Sequence, residues 1–187
     1  MITQSQKIEI DKLIDERPIS SLQILVILLC AFIIFLDGYD IQTLGATLNW
    51  LAKEWQLTRA DFTLAQTAAL IGYAISAALV AGLGDRWGRR PVLIFAAALM
   101  GIGSVGTAFS ANVDQLAFWR LLTGMGFGAS VPNATAITSE FVPLRRRAAL
   151  ITVMYANIAL GAVVAGGTAL RAIREAEDEE EKLERAN

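Results

Sequence analysis

Five apolar runs, at 22–48, 63–83, 91–110, 115–139 and 148–170, occupy most of this 187-residue chain. Each holds about 20 residues or more, enough at ~1.5 Å per residue to cross a hydrocarbon layer ~30 Å thick. Gaps as short as 84–90 favour antiparallel hairpins packed side by side in lipid, where a helix satisfies its own backbone N–H and C=O groups. Five buried helices of a large soluble α-domain are the competing fold, and such short connections fit it poorly. Composition points the same way. Charged residues are 18% and hydrophobic residues 55% of the chain, whereas soluble domains carry about 25% charged residues. The chain is therefore read as an all-α membrane protein with five transmembrane helices.

Basic residues set the orientation. Arg86, Arg89 and Arg90 follow the second run, and Arg145, Arg146 and Arg147 follow the fourth. The gap after the first run has Lys53 and Arg59 offset by Glu54 and Asp61, and the gap after the third has no base. Positive-inside bias then places the amino terminus and both arginine-rich turns in the cytoplasm, in a multi-pass protein of the cell inner membrane. Three segments are expected: a cytoplasmic amino-terminal segment at 1–21, a five-span bundle at 22–170 and an acidic tail at 171–187. The first run is too long for a cleavable signal peptide and has no small-residue cleavage site near its end.

Several chemistries are excluded or unsupported. There is no histidine, so the commonest metal ligand and the usual neutral-pH proton shuttle are missing. The single cysteine, Cys30, lies within an apolar run and can form no internal disulfide. No nucleophile–base pair, metal cluster or phosphate loop is present. The chain is expected to be no enzyme, to use no catalytic residue, metal or cofactor, and to bind the lipid bilayer rather than nucleic acid.

Charges inside the runs carry the functional reading. Asp37-Gly38-Tyr39-Asp40 interrupts the first run, and a carboxylate at mid-membrane costs ~2.5–3.5 kcal/mol on insertion scales. Spaced three apart, both acids fall on one helical face. Asp37 lies ~22 Å and Asp40 ~27 Å along the first run, while Arg120 lies ~8 Å into the fourth, which runs the other way. Those depths match, so Arg120 is expected to pair with Asp37 or Asp40. Hydration of these charges toward the outer surface is the alternative. Tyr39 reads as a packing aromatic before a ligand contact. In the fourth run Gly124 and Gly128 form a small-xxx-small face for close helix approach, Pro132 bends the helix, and Asn133 needs a polar partner. Tight packing and substrate contact remain equal readings of that segment.

The most specific string is Gly82-Leu83-Gly84-Asp85-Arg86-Trp87-Gly88-Arg89-Arg90-Pro91. Gly88 permits a tight reversal and Pro91 suits the first turn of the next helix. Through Leu83, Asp85, Arg86, Gly88, Arg89 and Arg90 it resembles the major facilitator superfamily signature G-x-L-x-D-R-x-G-R-[KR], with Ala81 in place of the leading glycine. Arg120, Gly124, Gly126 and Gly128 match the superfamily's R-x-x-x-G-x-G-x-G. Glu140 with Arg145 and Arg146 resembles its next cytoplasmic charge cluster. Asp-Gly-Tyr-Asp, Pro132-Asn133 and Glu140…Pro143…Arg146 are similar to the aromatic acid:proton symporter branch, and the resemblance covers residues 20–168.

The resemblance implies the incomplete amino-terminal bundle of a secondary active transporter that takes up aromatic carboxylates, such as hydroxybenzoate or protocatechuate, with protons. It assigns Asp37, Tyr39, Asp40, Arg120 and Asn133 to proton coupling or substrate. Asp85, Arg86, Gly88, Arg89, Arg90, Glu140 and Arg145 become a cytoplasmic gate that exchanges partners. A sugar or other organic-anion porter, or a non-transporting membrane fragment, are the alternatives. A carboxy-terminal bundle is the implied partner. Residues 171–187 carry seven acids and four bases without a span, and they are expected to be foreign to the family's pattern.

Overall fold

The computed structural model describes residues 20–186, with the side chains at 81–83, 85, 177, 179–181, 183, 184 and 186 outside the described set. The expected segment 1–21 thus lies almost wholly outside the described residues. Five long helices follow in order: α1 Ser21–Glu54, α2 Thr63–Trp87, α3 Arg89–Ala108, α4 Val113–Phe141 and α5 Leu144–Ala186.

Local chemistry sets their ends. Ser20 and Gln23 form a capping box at the start of α1: the Gln23 N–H donates to Ser20 Oγ at 3.3 Å and the Ser20 N–H to Gln23 Oε1 at 2.7 Å. The helix runs past the expected residue 48 because Leu48 and Ala52 continue its apolar face into a cluster with Phe62, Ala65 and Leu116. It stops where Gln56 turns left-handed at φ 55°. In the loop, the Thr58 N–H and hydroxyl both donate to Asp61 Oδ2, at 2.7 and 2.8 Å, opening a short 3-10 turn at Arg59–Phe62. A single residue, Gly88 at φ 92°, separates α2 from α3, a conformation that side chains with a Cβ rarely adopt. Asn112 caps α4 by accepting the Gln115 N–H at 2.9 Å.

Among the described residues, four helical segments, Ser21–Glu54, Arg59–Val80, Arg89–Ala108 and Leu144–Ala176, are long and apolar enough to cross a membrane by length and composition. The expected run at 115–139 is a helix of different character. Its glycines, Thr123, Ser130, Asn133 and Thr138 dilute its hydropathy, and nearly all of them are buried against protein. α4 is the central post. It packs on α2 and α3, while α1 pairs with α5. The outward faces of the others carry apolar side chains such as Leu25, Phe32, Leu70, Phe95 and Val163, as contact with acyl chains requires. No break marks the expected boundary at residue 170: α5 is one helix of 43 residues that carries its apolar part directly into the acidic one.

Backbone contact at glycines holds the crossings. A Cβ at Gly124 would run into the Ala69 carbonyl and one at Gly128 into the Tyr73 carbonyl, so the small-xxx-small face of α4 receives α2. The same device joins α1 to α5, where Gly38 meets the Ile158 carbonyl and Gly161 meets that of Phe35. Gly124→Leu is therefore expected to lower stability by ~1–3 kcal/mol through overpacking. A Cβ at Gly45 meets nothing within 4 Å, so Gly45→Leu should be neutral or slightly stabilising. Denaturant unfolding of both variants in detergent micelles checks this; equal stability of the two would contradict the crossing geometry.

Candidate functional site

α1 and α3 splay apart over α4, leaving a cavity of about 670 Å³ whose walls include Asp40, Thr43, Met100, Ser104, Arg120 and Phe127. Arg120 reaches in from α4. Its Nη1 donates to Asp40 Oδ1 at 2.9 Å and lies 2.8 Å from Oδ2 in an ion pair. The guanidinium is deeply buried, with the whole residue 5% exposed. Asp40 is less so, its side chain 18% exposed on the cavity side. Because α1 and α4 run antiparallel, residues at different distances from their helix starts meet at one depth. A lone buried guanidinium would be costly, and the carboxylate at contact distance offsets much of that cost. Arg120 Nε is buried and has no hydrogen-bond partner.

The two acids of the first run do not act as one group. Asp37 is buried, 6% exposed, yet it does not border the cavity. It lies within electrostatic reach of Asp40 and of Tyr73 on α2. One turn of helix separates a paired carboxylate from one that faces a different set of neighbours. Tyr39 takes a packing position: its ring stacks on Phe35 with centroids 6.4 Å apart. Its hydroxyl meets Thr168 Oγ1 of α5 at 3.4 Å while the residue also edges the cavity.

Asn133 stands apart from this pair, ~20 Å further along α4. Pro132 removes one backbone donor from the helix, and the Asn133 Nδ2 donates to the Ala129 carbonyl at 2.8 Å beside the break. Its Oδ1 rests against Gly84 near the end of α2. Asn133 therefore finds its polar partner in its own helix and braces the α2–α3 turn.

At that turn, Arg89 Nη2 pairs with Glu140 Oε1 at 3.3 Å. Among the described residues, the ion pair found for Glu140 is thus with the turn after α2, while Arg86, Gly88, Arg90 and Arg145 are exposed. Asp85 is in the last turns of α2, and its side chain lies outside the described residues. Gln23 Nε2 donates to the Phe141 carbonyl at 2.7 Å, tying the start of α1 to the end of α4. Among the described residues no group of histidine, cysteine and carboxylate side chains could hold a metal ion. Sequence reasoning missed Gly38 and Gly161 as crossing points. A small residue opposite another at equal depth was the available signal, but it needs the pairing of α1 with α5 to be known first.

Comparison with known proteins agrees with this architecture. The Major Facilitator Superfamily model matches residues 30–170. The chain is 38% identical over 161 residues to the 4-hydroxybenzoate transporter PcaK of Pseudomonas aeruginosa, covering 86% of this chain and 36% of that protein. It is 36% identical over 159 residues to the gallate transporter of Pseudomonas putida, covering 85% of this chain and 35% of the relative. The 3-(3-hydroxy-phenyl)propionate transporter of Escherichia coli is 36% identical over 147 residues, 78% of this chain and 36% of its own length. The chain spans about a third of the length of these relatives. It belongs to the Major Facilitator Superfamily of membrane transporters, with aromatic acid transporters among its relatives.

Proposed function

We propose that the chain takes part in proton-driven uptake of aromatic carboxylates across the cell inner membrane, with its amino terminus in the cytoplasm. The buried Asp40–Arg120 pair carries this reading, and the hydroxybenzoate, gallate and hydroxyphenylpropionate transporters among its relatives support the substrate class. Protonating Asp40 removes the counter-charge of Arg120. A buried pair broken on one side costs ~3–5 kcal/mol, and an incoming carboxylate is the chemistry that relieves it. Proton and organic anion then arrive together because each alone leaves an unpaired group in a low-dielectric site. Asp37 and Tyr39 flank this step. Asn133, with Asp85, Arg86, Gly88, Arg89, Arg90, Glu140 and Arg145, belongs to the cytoplasmic end, where partner exchange would gate access. Alternating access further requires a second helical bundle to rock against.

Proteoliposome uptake of labelled 4-hydroxybenzoate tests the reading. Uptake should accelerate when an inward proton gradient is imposed, in the chain itself or in the chain joined to the carboxy-terminal bundle of a relative. Asp40→Asn should abolish the gradient's effect. Arg120→Leu should remove most binding of the anion. Gradient-dependent uptake that survives Asp40→Asn would end the coupling proposal. Uptake of a sugar in place of the acid would move the chain to a different branch of the superfamily. One rival is a non-transporting membrane component. Absence of uptake in every arrangement would select it.

A further inference from the structure

At the end of the bundle away from the α2–α3 turn, α3 and α4 enclose a second groove, of about 930 Å³. It follows α3 from Gly101 to Phe109, ~12 Å of helix. The groove therefore leads from the helix end into the depth where acyl chains lie. Its α3 wall is apolar: Ile102, Val105 and Phe109 are all exposed, on a helix long and apolar enough to cross a membrane. A Cβ at Gly101 would meet nothing within 4 Å, so the deep end of the trough is open. Toward the helix end the Trp119 ring lies against Gly106 and closes the gap between the two helices.

Polar groups at the mouth of the groove have a definite pattern. Asp114, in the first turn of α4, is exposed, and among the described residues its carboxylate has no hydrogen bond or ion pair. No lysine or arginine lines the groove, so this charge has no counter-charge of its own. Gln115 accepts the Ala111 N–H on Oε1 at 3.1 Å, which leaves its amide NH2 as a donor. The Trp119 indole N–H is a second donor, without a partner among the described residues. Phe118 meets Trp119 edge to face, with centroids 5.1 Å apart. Aromatic faces beside a carboxylate favour an ammonium group.

We propose that this groove seats one phospholipid with an ammonium head, of the phosphatidylethanolamine type. Its ammonium pairs with Asp114 beside Phe118, its phosphate and ester oxygens accept from Gln115 and Trp119, and an acyl chain lies along Gly101, Ile102 and Val105. Charge complementarity selects this occupant. A lipid whose head carries only the phosphate charge would bring a second anion to Asp114. Gly101 and Val105 also border the cavity of the Asp40–Arg120 pair, so the seated chain backs one wall of that cavity from the lipid side. The site does not depend on which substrate is carried.

Native mass spectrometry of the full chain tests the site, with release from nanodiscs of equal phosphatidylethanolamine and phosphatidylglycerol bearing identical acyl chains. Wild-type chain should retain a lipid, with the ethanolamine form in excess. Asp114→Asn should lower the ethanolamine-to-glycerol ratio about two- to fivefold, the worth of a solvent-exposed ion pair. Asp61→Asn alters an exposed acid outside the groove at the same end of the bundle, and should leave the ratio unchanged. Gly101→Leu fills the trough without striking a neighbour, and should reduce retention of both lipids. An unchanged ratio in Asp114→Asn, or an equal fall in Asp61→Asn, would overturn the proposal. Full retention by Gly101→Leu would overturn it as well, since the chain would then lie elsewhere. A dimer mass without lipid would give the groove to a second copy and end the lipid assignment.

Discussion

A guanidinium held within a bundle of membrane-spanning helices is the constraint around which this structure is arranged. Arg120 sits 5% exposed on the central helix, where an unpaired charge is costly. Asp40 has to be at the same depth on a neighbouring antiparallel helix, and it has to be within contact distance. Meeting both conditions fixes how far α1 slides along α4. The pair therefore sets helix register before it sets any chemistry, and removal of either partner is felt as packing as well as charge.

Glycine crossings make that register possible. Lipid offers no hydrophobic drive between helices, so association relies on close van der Waals contact of backbones. α2 crosses α4 at Gly124 and Gly128, and α5 crosses α1 at Gly38 and Gly161. Gly38 is next to Asp37 and two residues from Asp40, so the tightest contact of α1 anchors the segment that carries the acids. Packing and electrostatics share one turn of helix there, which limits how freely the acids can move with respect to α5.

Much of this was legible in the sequence, for reasons that particular residues make plain. Length and apolarity marked the helices because a span must reach across hydrocarbon and bond its own backbone. The Gly88 reversal was readable because only one residue type tolerates that backbone conformation. Depth arithmetic matched Arg120 with the acids because both helices start near opposite surfaces. The choice between Asp37 and Asp40 was not available, since a spacing of three residues leaves an angular difference that only the placement of α2 and α3 turns into different neighbours. Polarity left Asn133 open between tight packing and substrate contact, and only the resemblance placed it with the substrate residues. Its actual partners are the Ala129 carbonyl and Gly84, and they depend on how Pro132 opens α4 and where α2 ends. Segment 171–186 was set apart by charge, but charge composition alone gives no helix boundary, and α5 passes through it unbroken.

The two glycine crossings also explain where the cavity lies. α4 is covered on one side by α2 and on another by α3, whereas α1 has α5 on its glycine face and, among the described residues, no helix packed along it as α3 is along α4. The open flank of α1 is the cavity wall that holds Asp40, Thr43 and Thr47. The carboxylate is 18% exposed through that flank while its arginine, inserted from α4, is nearly inaccessible. The pair is therefore reached from the acid's side, through the open flank of α1. The arginine can respond only by losing or regaining its counter-charge. That asymmetry, a reachable carboxylate against an unreachable guanidinium, gives the pair a direction in which it can be opened.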